Sequence, residues 1–159
     1  MQPAFGLEVT LATQALDSGA QSPFILPITV SIHNAASSPV TVLKWGTPLD
    51  PRAGVLGVFE VCKTGSGQIL APETIKISRK LPPSAEDLVE IAAGQRLDRT
   101  VTLPGLHLET GHEYSVQARG IWHAIWEKPL ADVTASQLED FGGAERGSFE
   151  SNLAIVDIK

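Results

Sequence analysis

Apolar and polar residues alternate along most of this chain, and helical periodicity is scarce. Leu7, Val9 and Leu11 share one face with Glu8 and Thr10 on the other, the period-two pattern of a half-buried strand. Asp17–Gln21 is a polar loop. Ile28, Val30 and Ile32 alternate with Thr29, Ser31 and His33, and Asn34–Pro39 turns the chain back as Val40–Leu43. Further strands are predicted at Gly57–Cys62, Gln68–Leu70, Thr74–Lys80, Leu88–Ile91, Arg96–Leu103, Glu113–Trp122 and Leu153–Ile158. Lys63–Gly67, Pro82-Pro83, Ala93-Gly94 and Pro104-Gly105 punctuate them. The helical signal is confined to Thr134–Phe141, where Thr134 and Gln137 have capping-box spacing and Gly142-Gly143 supplies a stop. Short strands with a turn signal about every ten residues predict an antiparallel β-sandwich. No repeat or composition change divides the chain, so residues 1–159 are read as a single domain.

Composition removes several function classes. The formal net charge is −6, and no dense Lys/Arg block supplies the basic face that a nucleic-acid surface needs. No uninterrupted apolar stretch reaches the length of a membrane-spanning helix. Met1–Gln14 has neither a basic nor an apolar leader segment, and the single cysteine, Cys62, has no internal partner. Together these two features lead to the expectation of a cytoplasmic protein, with a mature secreted domain as the alternative.

Candidate chemistry is sparse. His33, His107, His112 and His123 follow no metal-ligand spacing, although His107 and His112 sit near Glu109 and Glu113 in one connection. Cys62 would need a basic partner and exposure to act as a nucleophile. Gly65-Ser66-Gly67 lacks the lysine and the helix of a phosphate loop and is read as a hairpin turn. The tryptophans carry more. Trp122 is in phase with Tyr114 and Val116 and is assigned to the core, whereas Trp126, beyond the predicted strand and before Glu127-Lys128-Pro129, is assigned to a surface or groove. Arg79-Lys80-Leu81-Pro82-Pro83 forms a short basic, proline-rich edge. It suits either docking of a carboxylate-bearing partner or protection of an edge strand.

Several spaced blocks add up to a resemblance. The order His33-Asn34, Val40–Trp45, Gly46-Thr47-Pro48-Leu49-Asp50 and Gly57–Val61 resembles the N-terminal domain of deuterolysin-type metalloendopeptidases, the fungal and bacterial aspzincins that include peptidyl-Lys-specific enzymes. The likeness continues through Lys76–Lys80, Pro82-Pro83, Glu86–Val89 and Ala93-Gly94 and closes with Gly111–Val116. In that family this domain is a β-sandwich prosegment ahead of a zinc protease. The His-Glu-x-x-His helix of the protease is absent here. The resemblance therefore implies a stand-alone, non-catalytic relative that needs no zinc and no cofactor.

The expected fold is all-β, an immunoglobulin-like antiparallel sandwich of seven to nine strands with one short helix in a late connection. The leading functional expectation is a prosegment-like module that binds a protein, such as a metalloprotease, as chaperone or inhibitor. Its expected contact residues are Trp45, Pro48, Asp50, Arg79 and Trp126, carried on loops that the sheets hold in place. The alternative is a small enzyme of secondary metabolism on the same scaffold, with Trp122, His123, Trp126 and Glu127 lining an aromatic pocket. In that reading His123 serves as general acid or base, with Glu127 beside it.

Overall fold

The alternating segments become strands of two antiparallel sheets. The computed structural model describes residues 6–13, 24–70, 79–106, 108, 109 and 111–158. Among these, the strands are β1 (Leu7–Thr13), β2 (Phe24–Asn34), β3 (Val40–Leu43), β4 (Phe59–Lys63), β5 (Ile69–Leu70), β6 (Leu88–Ile91), β7 (Arg96–Leu106), β8 (Glu113–Trp126), β9 (Glu145–Glu150) and β10 (Ala154–Asp157). A six-residue helix, α1 (Ala135–Asp140), precedes β9. The polar loop expected at Asp17–Gln21, most of the strand expected at Thr74–Lys80, and His107 lie outside the described residues.

The smaller sheet has the order β1-β2-β7. The larger is built on β8. Its first half lies between β4 and β10, with Val116 opposite both Val61 and Ala154. Its second half lies between β3 and β9, with Ile125 opposite both Val42 and Glu145. β5 flanks β4 and β6 flanks β3. The immunoglobulin-like sandwich expected from the strand pattern is the observed architecture, and its main core lies between the facing sheets. Leu7, Val9 and Leu11, then Ile28, Val30 and Ile32, meet Val61, Tyr114, Val116, Trp122 and Val156 there. Trp122 tilts on Phe149 at 5.0 Å between ring centroids. Its indole N–H has no hydrogen-bond partner among the described residues, an uncommon state for a buried donor.

Two strands depart from the expected bounds for separate reasons. β9 was not expected, because Phe149 is the single buried side chain of Glu145–Glu150. It forms because the backbone groups of β8 require a partner, not because of its own pattern. β8 was expected to end at Trp122 but continues to Trp126 through a bulge. Pairing passes from Trp122↔Gly147 to Ile125↔Glu145, three residues on β8 against two on β9.

That extra residue reverses the phase of the strand. Trp122 and Ile125 face the main core, while Ala124 and Trp126 face a second cluster on the other side of the sheet. Leu43, Leu88 and the half-buried Trp45, Leu130, Val133, Leu138, Phe141 and Ala144 complete this cluster. The connection from Glu127 to Ala144 thus packs as an outer layer over the sheet. β3 lies beneath it, buried on both faces. The helix in this layer starts as its sequence specified. Gln137 N–H donates to Thr134 Oγ1 (3.2 Å), and Thr134 N–H donates to Gln137 Oε1 (3.0 Å).

The outer edge of β1 is held by a side chain that imitates a strand. Leu11 N–H donates to Asn152 Oδ1 (2.7 Å), and Asn152 Nδ2 donates back to the Leu11 carbonyl (3.1 Å). Asn152→Ala should leave both backbone groups unpaired and cost about 1–2 kcal/mol. The check is the urea midpoint together with faster hydrogen exchange at Leu11.

Candidate functional site

Between β3 and β4 the chain leaves the sheet as Lys44–Val58, and Asp50 organises this loop. Its side chain is 1 % exposed. Oδ2 accepts from Gly46 N–H (3.0 Å) and Oδ1 from Arg52 N–H (2.9 Å). The Arg79 guanidinium closes the arrangement by donating to Oδ2 and also covers the Trp45 ring, 5.4 Å from its centroid. Gly46 turns the chain at φ +71°, a backbone conformation that side chains disfavour. Gly54 brings the loop against the smaller sheet. A Cβ at that position would stand 2.1 Å from the Thr102 carbonyl oxygen.

The result is a preformed concavity of about 450 Å³ between the loop and β7. Lys44 and Arg99 carry charge there, Pro48, Leu49 and Pro51 form apolar wall, and Thr100 and Thr102 come from the strand. The expected contact residues therefore divide. Trp45, Asp50 and Arg79 are joined in one ion-paired, aromatic unit, and Pro48, although buried, lines the adjoining concavity. Lys44 and Arg99 were missed at the sequence level, because a lone cation in a strand or loop reads as ordinary solvated surface.

Trp126 is elsewhere and requires correction. Instead of a surface or groove it occupies the second cluster, 1 % exposed, with its indole N–H donating to the Gly142 carbonyl (3.0 Å). Phe141 lies against it at 6.4 Å. The two residues expected to share an aromatic pocket, Trp122 and Trp126, lie on opposite faces of the sheet and are both buried. Glu127 is exposed beyond the end of β8 and does not line the concavity at His123.

That second concavity, about 420 Å³, is bounded by His123, Phe141, Ala144 and Arg146. His123 Nδ1 lies 3.4 Å from an Arg146 guanidinium nitrogen. Partial burial, then the positive charges of Arg146 and Arg79, lower the His123 pKa from its usual value. The linkage sign follows. Below the ordinary histidine pKa the unfolded chain takes up this proton more readily than the folded one, so His123 erodes stability as pH falls from there through its folded pKa.

The other polar groups have structural partners. Lys63 and His112 both approach Glu109. His33 meets Glu8 at 3.0 Å. Burial, then the neighbouring Glu60 carboxylate, raise the Cys62 thiol above its usual pKa, opposite to what a nucleophile needs. Cys62 should accordingly alkylate more slowly at pH 7 than a free cysteine, as an iodoacetamide time course would show. Among the described residues, no group of three or more His, Cys, Asp or Glu side chains could hold a metal ion, and no helix is long and apolar enough to cross a membrane.

Two sheets around one core, strand pairing that is antiparallel throughout, and an ordered loop between strands place this chain among immunoglobulin-like domains. The family model described as an immunoglobulin-like domain matches residues 7–158, and the chain belongs to that family. An uncharacterized secreted protein of Arthroderma benhamiae is 38% identical over 160 residues, covering 98% of this chain and 81% of that protein. Among solved structures, the ASH/PapD-like domain 7 of human CEP192 aligns with 97% of this chain and 88% of its own at 11% identity, with a TM-score of 0.34.

The family match carries the sandwich that the deuterolysin resemblance implied, and neither it nor the Arthroderma relative gives the prosegment relation support. The Arthroderma relative, described as secreted, overturns the cytoplasmic expectation. The lone cysteine misled there. A chain of this size stabilises itself through its core and needs no disulfide in an oxidising compartment.

Proposed function

We propose that the protein is a secreted, non-catalytic recognition module whose partner-binding surface is the Lys44–Val58 loop and the adjoining stretch of β7. The observation that carries this reading is the ordering of the loop by Asp50. One buried carboxylate ties two backbone amides and a guanidinium, and holds an open concavity with two cations at its side. A connection between two strands of one sheet can be far shorter. A loop fixed before its partner arrives loses little conformational entropy on binding. Lys44 and Arg99 favour an acidic protein segment, and Pro48 and Pro51 offer it a rigid apolar wall. Secretion is supported by the relative in Arthroderma benhamiae.

An enzymatic reading of His123 has less to rest on. The charged groups acting on it are two guanidiniums, and the two indoles expected to line its pocket are buried in separate cores.

The test compares capture from the culture fluid of the source by wild-type protein and by Lys44→Glu and Arg99→Glu variants with unchanged melting midpoints. A stoichiometric protein retained by wild type and lost from both variants supports the reading. A partner held equally well by all three excludes this surface.

A further inference from the structure

The concavity at His123 has a chemistry separate from that loop. We infer that it is a binding site for a small carboxylic acid with an apolar body, the carboxylate held between Arg146 and the His123 imidazole. The inference does not depend on the recognition role proposed for the Lys44–Val58 loop.

Charge supplies the first argument. In a chain of net charge −6, two basic side chains from different strands meet at one place, and a third, Arg79, is near enough for its charge to act on His123. His123 comes from β8, Arg146 from β9, and Arg79 from the segment before β6. Asp50 holds Arg79. Among the described residues, Arg146 has no carboxylate partner and lies instead against an imidazole. Arg146 thus stands without a counter-charge beside open space of about 420 Å³, within the size range of small-molecule sites. An anion entering there gives it one.

The number of charges selects the anion. Arg79 is already paired, so Arg146 is the standing cation at the site, and His123 gains its charge only with the anion. One delocalised negative charge matches that single cation better than a phosphate dianion. A carboxylate also matches the planar fork of an arginine.

The walls select the body. Phe141 stands at the end of α1 with a left-handed backbone, φ 56°, unusual for an aromatic residue. It and Ala144 bound the concavity while packing on the cluster around Trp126. The site therefore offers an apolar surface next to its cation.

Protonation couples to occupancy. Arg146 donates towards His123 Nδ1, which requires that nitrogen to be unprotonated. Arg146 and Arg79 are the charged groups that bear on the ring, and the Gly46 backbone on its Nε2 side adds none. A bound carboxylate reverses the balance. It accepts from Arg146 and favours the imidazolium, so binding takes up a proton.

Calorimetric titration of the full chain with benzoate and hexanoate, in buffers free of carboxylates, tests this. Benzamide, hexanamide and inorganic phosphate serve as controls. The acids should bind saturably, the amides not at all, and phosphate more weakly than either acid. Affinity should rise several-fold from pH 7.5 to 5.5, with about tenfold as the ceiling when the anion raises the imidazole pKa by about one unit. Arg146→Gln should weaken binding at least about tenfold at both pH values, and His123→Gln should flatten the pH dependence. Both variants should keep the wild-type melting midpoint at pH 7.5, so lost binding is distinguishable from lost fold. Amides that bind as well as acids, preferred phosphate, unchanged affinity in Arg146→Gln, or no saturable binding of either acid would overturn the inference.

Discussion

Replacing Trp126 by alanine should cost about 3–5 kcal/mol, a large share of the stability of a domain this size. The side chain is almost fully enclosed, so truncation removes the transfer free energy of an indole and leaves a cavity under the outer layer. It also strands the Gly142 carbonyl, which now accepts from the indole N–H. Phe141, stacked beside it, loses its support and with it one wall of the His123 concavity. Urea unfolding should show a fall in midpoint with the slope little changed. A variant that instead keeps its full stability would place Trp126 outside the cooperative core. Trp126→Phe, which keeps the ring volume in part and removes only the donor, should cost distinctly less.

Asp50→Ala should cost about 2–4 kcal/mol and disorder the loop. The lower end applies because Arg79, 26 % exposed, can turn its guanidinium to water once its partner is gone. The amides of Gly46 and Arg52 have no such escape. Arg79→Ala should cost a comparable amount, since it leaves a buried carboxylate facing only two amide donors. The double variant should cost far less than the sum of the two, a coupling that a double-mutant cycle measures directly. Additive losses would mean that the two side chains act independently. If the loop is the recognition surface, Asp50→Ala should also abolish partner capture at temperatures where the sandwich remains folded.

The two residues were legible to different degrees. Trp45, Asp50 and Arg79 were among the five expected contact residues, with Pro48 and Trp126, as anchors carried on loops. The structure joins the first three in one network. Trp126 was assigned to the surface because the alternating pattern stops at Trp122. No local feature of His123-Ala124-Ile125 announces the bulge that carries the strand onward. Arg146 was passed over for a related reason. Glu145–Glu150 has no strand periodicity of its own, so its side chains could not be placed on any face before β8 recruited it.

What the sequence by itself determined is the sandwich: the faces of β1, β2 and most of β8, the turns between strands, and the cap of the helix. Each depends on residues within a few positions of one another, whose period and φ preferences act locally. Tertiary structure alone decided the outer layer over the second face of the larger sheet, the pairing of β9, and the meeting of His123 and Arg146. Those features rest on contacts between segments far apart in the chain. A one-residue bulge selects among them, because in a strand one residue is the whole difference between one face and the other.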